Sequence, residues 1–145
     1  MSSLAAQKAT LDKVLALLNA YDLDALAELF TPDFIRFLQP KASVEPHQLN
    51  AQQLTFGLKR IGQQFTSPIV YEFHNHVHDA EAHRSVLEFS NHADTTLGPF
   101  GGEGVLFFQF TEDGKKISRV DEYVDSIMHC AFQEKLAAAK VGGMH

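Results

Sequence analysis

The sequence predicts an α+β fold in which helices cover one face of a curved antiparallel sheet and enclose a pocket, giving a cone-shaped molecule. Two short amphipathic segments open the chain, residues 69–125 alternate as a series of strands, and one more helix closes it. Helices followed by an uninterrupted run of strands are typical of α+β proteins. Since 145 residues suit one core, we expect a single domain over residues 1–145.

The helices of the first half follow from apolar spacing. Residues 11–18 carry leucine and valine at i, i+3, i+4 and i+7, as in an amphipathic helix. The same spacing recurs over residues 23–30, where Asp22 is a suitable N-cap and Pro32 a stop signal. The sequence then predicts a strand over residues 33–39, a polar loop and a third helix around residues 54–61.

The second half alternates with period two, as strands do. Glycine-rich pairs at residues 98–102 and the Asp113-Gly114 pair predict turns. The predicted elements are strands over residues 69–78, 84–95, 103–110 and 116–125, and a helix from Ser126 to about Val141.

Composition excludes several classes of function. The net charge of −6 argues against non-specific nucleic-acid binding and against docking on an anionic membrane. No apolar run reaches the ~20 residues of a transmembrane helix, and the N-terminus lacks the pattern of a secretory signal. Cys130 is the single cysteine, which favours a reducing compartment. We therefore expect a cytoplasmic protein without membrane or nucleic-acid partners.

Two charged residues share strand faces with apolar neighbours. Arg36 alternates with Phe34 and Leu38, and Glu122 alternates with two valines. Charges in such positions are expected to be buried and therefore to need a partner. The pair can move a proton and stabilise an oxyanion, or it can be a purely structural ion pair.

Further candidates lie on the strands of the meander. Asn75 and Asn91 each interrupt an apolar face, where an amide can orient a ligand or satisfy a bulged backbone. His92 and Asp94 lie on the opposite face and become an acid/base pair of the pocket only if a bulge reverses the register. Histidines 74, 76 and 78 alternate as metal ligands can, but their face is better suited to a polar subunit interface, so no metal is expected.

Three segments carry a family resemblance: DFIRFLQP, HADTTLGPF and DGKKISRVDEYVDS. Their order and spacing, from about Leu17 to Leu136, resemble the SnoaL-like (nuclear-transport-factor-2-like) proteins of fungal secondary metabolism. Those proteins include isomerases, cyclases and hydrolases that rearrange meroterpenoid rings, and semipinacolase-type proteins. The resemblance implies the cone-shaped fold, a homodimer, and a pocket for a hydrophobic polycyclic or polyketide-derived substrate.

The resemblance also implies roles for individual residues. Glu122, in the Glu-aromatic-X-Asp-Ser pattern, corresponds to an acid/base, and Arg36 to its partner across the pocket. Phe100 and Gly104 stand where those relatives carry tyrosines, so two phenolic hydroxyls are absent. Phe100 and Phe107 are expected to contact the substrate. The function predicted is isomerase or cyclase by acid–base chemistry without a cofactor; the alternatives are a hydrolase or dehydratase, or a non-catalytic ligand- or protein-binding module.

Overall fold

The computed structural model of the chain describes residues 3–42 and 46–139, and it confirms the predicted α+β class. Within those residues every helix is too short or too polar to traverse a lipid bilayer. The helices are α1 (Ser3–Ala20), α2 (Leu23–Ala27), α3 (Ala51–Gly62) and α4 (Ser126–Ala138), and the strands are β1 (Phe30–Gln39), β2 (Gln48–Asn50), β3 (Val70–Asp79), β4 (Arg84–Thr95), β5 (Gly98–Phe110) and β6 (Ile117–Val124).

The six strands form one curved sheet in the order β2-β1-β6-β5-β4-β3. Strands β3 to β6 make the predicted antiparallel meander. The last strand, β6, then pairs in parallel with β1, so that Arg36 lies opposite Val120 and Leu38 lies opposite Glu122. The fold thus brings the first long strand beside the last one, and the two charged residues of the sequence pattern come together.

The core lies between the inner face of this sheet and the helices. Helix α1 buries Leu11, Val14 and Leu18, which meet Leu87 and Phe89 of β4 in one cluster. Each fully buried aliphatic or aromatic side chain stabilises the fold by roughly 1.5–3 kcal/mol. The burial of one face of β4 shows which face of the sheet is inner: Leu87, Phe89 and Ala93 are all at most 5% exposed.

Side-chain caps define where the helices begin. Asp22 accepts a hydrogen bond from the Ala25 amide, as the sequence predicts for the start of α2. Asn50 and Gln53 form a reciprocal capping box at α3. Asp125 accepts from the amides of the first turn of α4. Such a cap contributes about 1 kcal/mol to helix stability.

The predicted second helix was too long, because Phe30 belongs to β1. Helix α2 ends at Ala27, and the Leu29 carbonyl accepts a hydrogen bond from the Ile117 amide, 2.8 Å away. The Phe30 ring stacks on the Phe34 ring with centroids 3.8 Å apart. Pairing with β6 thus replaces the last helical turn, and Pro32 falls where the β1–β6 register shifts.

Two further differences concern polar and glycine-rich stretches. The short strand β2 lies where the sequence predicts a loop, and it pairs with β1 between Ile35 and Phe37. Strand β5 begins at Gly98, whereas residues 98–102 were predicted to form a turn. Glycine is required there because a Cβ on Gly101 would lie 2.6 Å from the Asn91 carbonyl oxygen.

Candidate active site

A cavity of about 210 Å³ opens between the inner face of the sheet and the helices. An apolar cavity of roughly 150 Å³ already holds one benzene molecule, so this one has room for more than a single ring. Its walls are mainly aliphatic and aromatic, and they include Val14, Leu18, Phe30, Phe34, Leu54, Phe89, Leu106 and Phe108. Six polar or ionisable side chains that bear on the chemistry also line it: Arg36, Arg60, Tyr71, Asn91, Glu122 and His129.

Arg36 and Glu122 meet at the wall of this cavity. Arg36 Nη1 lies 3.7 Å from Glu122 Oε1, with 11% and 27% of the two side chains exposed. The resemblance implied partners on opposite sides of the pocket. The two residues instead lie side by side, because β1 and β6 are neighbours in the sheet. Their position on the inner face is the one that their apolar strand neighbours predict.

Burial raises the pKa of the Glu122 carboxyl, and the Arg36 cation opposes that rise without cancelling it. A carboxyl with a raised pKa is closer to the condition in which it can both give and accept a proton near neutral pH. The Arg36 guanidinium can hydrogen-bond a developing oxyanion beside the carboxyl. The pair therefore has the composition of a general acid–base site.

Tyr71 and Asn91 face each other across the β3–β4 pair and both line the cavity. Burial and the nearby Glu122 carboxylate raise the pKa of the Tyr71 phenol, while its hydrogen bond with the Asn91 side chain acts in the opposite direction. The phenol is therefore neutral at physiological pH. Asn91 is among the pocket residues that the sequence predicts, whereas Tyr71 is not, because an aromatic residue on an apolar strand face ordinarily belongs to the core.

His129 reaches the cavity from the first half of α4. Burial, and then the Arg36 charge, lower the pKa of its imidazole. Its Nε2 atom is buried and has no hydrogen-bond partner among the described residues. Sequence reasoning missed this residue because α4 carries no clear amphipathic pattern around it. A neutral ring with one unsatisfied nitrogen adds a polar contact for a ligand.

Arg60, in the last turn of α3, is the second cation of the lining and is only 9% exposed. The neighbouring Lys59 points outward and pairs with Asp24 at 2.7 Å. Sequence reasoning missed Arg60 because two consecutive basic residues at a helix C-terminus are usually solvated and interact with the helix dipole.

Phe100 and Gly104, which stand where the resembling proteins carry tyrosines, have different surroundings. Phe100 lines the cavity and packs against Phe132 at 4.9 Å between ring centroids, so the ring is present without its hydroxyl. At Gly104 no side chain fits, since a Cβ there would overlap the Tyr123 carbonyl oxygen and approach the Phe89 ring. The close pairing of β5 with β6 therefore requires glycine at this position.

Four predicted site residues lie outside the cavity lining. His92 and Asp94 are exposed on the outer face of β4, because no bulge reverses the β4–β5 register. Phe107 is 39% exposed on the outer face, edge-on to Tyr123. Asn75 is exposed and has a positive φ of 54°, within the register shift between His74 and Val77 that breaks the predicted alternation.

The histidine-rich stretch of β3 makes local contacts instead of a cluster. His74 Nε2 lies 3.3 Å from Glu72 Oε2, and His78 Nδ1 lies 2.8 Å from the Ser85 hydroxyl. Within residues 3–42 and 46–139, no group of three or more histidine, cysteine or acidic side chains is arranged to hold a metal ion.

Several solved structures share this architecture. PrhC from Penicillium brasilianum superposes with a TM-score of 0.85 at 20% identity, over 96% of this chain and 93% of that chain. The pinacolase BvnE from Penicillium brevicompactum superposes with a TM-score of 0.83 at 21% identity, over 94% of this chain and 97% of that chain. An NTF2-like protein from Exiguobacterium superposes with a TM-score of 0.63 at 15% identity, over 80% of this chain and 98% of that chain.

The chain has the NTF2-like fold. At this level of identity the likeness extends to the cone-shaped architecture, which agrees with the resemblance found in the sequence. No model of a protein family matches the chain. A curated relative, the monooxygenase nsrQ of Aspergillus novofumigatus, is 28% identical over 130 residues, which span 90% of this chain and 85% of that protein.

Proposed function

We propose that this NTF2-like protein is an isomerase or cyclase that acts on a hydrophobic polycyclic intermediate of secondary metabolism by general acid–base catalysis, without a cofactor. The observation that carries the proposal is the Arg36–Glu122 pair at 3.7 Å, in the wall of an apolar cavity, with the pKa of the carboxyl raised. The similarity to a pinacolase and to proteins of Penicillium and Aspergillus supports the substrate class.

The side chains of the cavity divide the work in this proposal. Ionised Glu122 removes a proton next to a substrate carbonyl, and the negative charge that develops on the carbonyl oxygen is stabilised by Arg36. Protonated Glu122 then returns the proton at the new position, so the product has the atoms of the substrate. Tyr71 and Asn91 orient the substrate, and the apolar walls exclude water.

The test is the Glu122→Gln variant with candidate polycyclic substrates. General acid–base catalysis contributes roughly a hundred- to ten-thousandfold, so kcat should fall by that factor while substrate binding persists. Glu88→Gln, which removes an exposed carboxyl of the outer face, is the matched control and should keep its activity. An active Glu122→Gln variant would rule out Glu122 as the acid/base.

The mass of the product distinguishes this reaction from its alternatives. An isomerase leaves the mass unchanged, a hydrolase or dehydratase adds or removes water, and a monooxygenase, as the curated relative is named, adds one oxygen atom. In deuterated water the proposed reaction should also place deuterium at the carbon to which Glu122 returns the proton. Binding without any turnover would favour the non-catalytic binding module.

A further inference from the structure

Consecutive basic residues at the end of α3 have opposite environments. Lys59 is half exposed and forms an ion pair with Asp24 at 2.7 Å. Arg60 is 9% exposed, lines the cavity, and forms no ion pair with any described residue. Its Nε atom is buried and has no hydrogen-bond partner within residues 3–42 and 46–139. A buried guanidinium without a counter-ion is costly, so its retention in a cavity wall points to a ligand that supplies the missing charge.

The other ionisable groups of the cavity do not compensate for Arg60. The cation that acts on the Glu122 pKa is Arg36, so that carboxyl already has its partner. The raised pKa of Tyr71 and the lowered pKa of His129 leave the phenol and the imidazole uncharged near neutral pH. The described part of the cavity is therefore net cationic, in a chain whose overall charge is −6.

We propose that Arg60 binds a carboxylate of the ligand, so that the substrate of this cavity is a hydrophobic acid. The inference deepens the proposed function and rests on it for the identity of the site. Arg60 would be a positioning group: its planar fork of donors matches a carboxylate bidentately and fixes one end of the ligand. The apolar walls would take up the ring system, and the Arg36–Glu122 pair would act on another part of the molecule.

The experiment compares two probes with the same ring system and nearly the same shape, one an anionic carboxylate and the other its neutral amide. Binding of 2-naphthoate and of 2-naphthamide to the full chain is measured by calorimetry at neutral pH; the cavity has room for two fused rings. We expect the wild type to bind the anion roughly ten- to a hundredfold more tightly, as for a charge-assisted hydrogen bond. Arg60→Met should abolish the preference, and Lys59→Met, the matched control, should keep it.

Further variants make the result decisive. Arg60→Lys retains the charge and loses the fork, so it should keep only part of the preference, and it provides a reading even if Arg60→Met does not fold. Glu45→Gln tests the one aspartate or glutamate of the sequence that lies outside the described ranges; it should leave naphthoate affinity unchanged, and a large gain would identify Glu45 as the partner of Arg60 and overturn the inference.

Equal binding of both probes, no naphthoate binding, or a preference that survives in Arg60→Met also overturns it. Because neither probe reacts, the result is independent of catalysis. Glu122→Gln should keep the naphthoate preference. Loss of turnover in that variant therefore reports on the proposed function, and loss of anion preference in Arg60→Met reports on this inference.

Discussion

The carboxylate of Glu122 lies 3.7 Å from the guanidinium of Arg36, yet burial has more influence on its pKa than that cation has. A strong contact pair would instead hold the carboxyl ionised at low pH. The site thus combines a cation, which lowers the pKa of the carboxyl, with apolar surroundings, which raise it, and the apolar surroundings have the larger effect. This balance has consequences that can be measured in the absence of a substrate.

The first consequence concerns the pH dependence of stability. Above the ordinary glutamate pKa of 4.5, the folded state still binds the Glu122 proton while the unfolded state loses it, so the free energy of unfolding falls as pH rises towards the raised pKa. Glu122→Gln does not titrate. Urea unfolding over a pH series should therefore show the variant gaining stability relative to wild type above pH 4.5. A constant difference, or a trend shared by the Glu88→Gln control, contradicts this assignment.

His129 should titrate below its ordinary pKa of 6.5, because burial and Arg36 both disfavour the imidazolium. Replacement of Arg36 by methionine removes the second cause and leaves the first. The pKa of His129 in Arg36→Met, followed by NMR of the ring, should rise and yet stay below 6.5. An unchanged pKa would show that Arg36 does not act on this ring.

Tyr71 and Asn91 should be thermodynamically coupled, because the Asn91 side chain interacts with the Tyr71 phenol and opposes the rise of its pKa. A double-mutant cycle of Tyr71→Phe and Asn91→Ala, measured by urea unfolding, should give a coupling of about 1 kcal/mol. Phe73→Leu with Asn91→Ala is the comparison cycle, since Phe73 pairs with Phe89 instead. Equal coupling in both cycles would mean that the phenol hydroxyl contributes nothing specific.

Gly104→Ala should destabilise the protein by about 3 kcal/mol or more, because its Cβ would overlap backbone atoms of Tyr123 that cannot move aside. Gly102→Ala is the matched control two residues away, where the nearest atom, Asn91 Oδ1, lies 4.0 Å from the added Cβ. Thermal unfolding should separate the two variants clearly. Similar melting temperatures would show that β5 can shift to accept a side chain at position 104.

The outer face of the sheet is proposed as the homodimer interface. It exposes Tyr123 and Val77 at 46% and 65%, and Phe107 packs against Tyr123 there. Phe107→Lys should convert a dimer into a monomer in analytical ultracentrifugation. Phe56→Lys, which alters a comparably exposed ring on α3, should leave the dimer intact. A wild-type monomer would refute the assignment.

Strand alternation predicted the site where the strands are regular. Arg36, Glu122 and Asn91 reach the cavity because β1, β4 and β6 keep their period around these positions. Asn75 does not reach the cavity, because an irregularity of the backbone interrupts the alternation of β3 there, and the local sequence does not specify that irregularity. Phe107 and His92 do not line the cavity because they lie on the outer face, and an alternating pattern defines two faces without indicating which one is inner.

Residues contributed by helices were harder to predict. Arg60 and His129 reach the cavity through the packing of α3 and α4 around the sheet, and that packing depends on tertiary contacts. The early end of α2 has a similar cause, since Phe30 is drawn into β1 by a strand that comes at the other end of the chain. The helix propensity of the local sequence cannot account for competition from pairing with a strand as distant in sequence as β6.

The parallel β1–β6 pair also determines when the site comes into existence. Closing a contact between such distant segments is entropically costly and belongs to the slow, non-local part of folding. While the chain is being synthesised, Arg36 emerges long before Glu122, and the cavity lacks one wall until β6 docks. We therefore expect the Arg36–Glu122 pair to form late in folding, and a chain that ends before β6 lacks the Glu122 half of the proposed site.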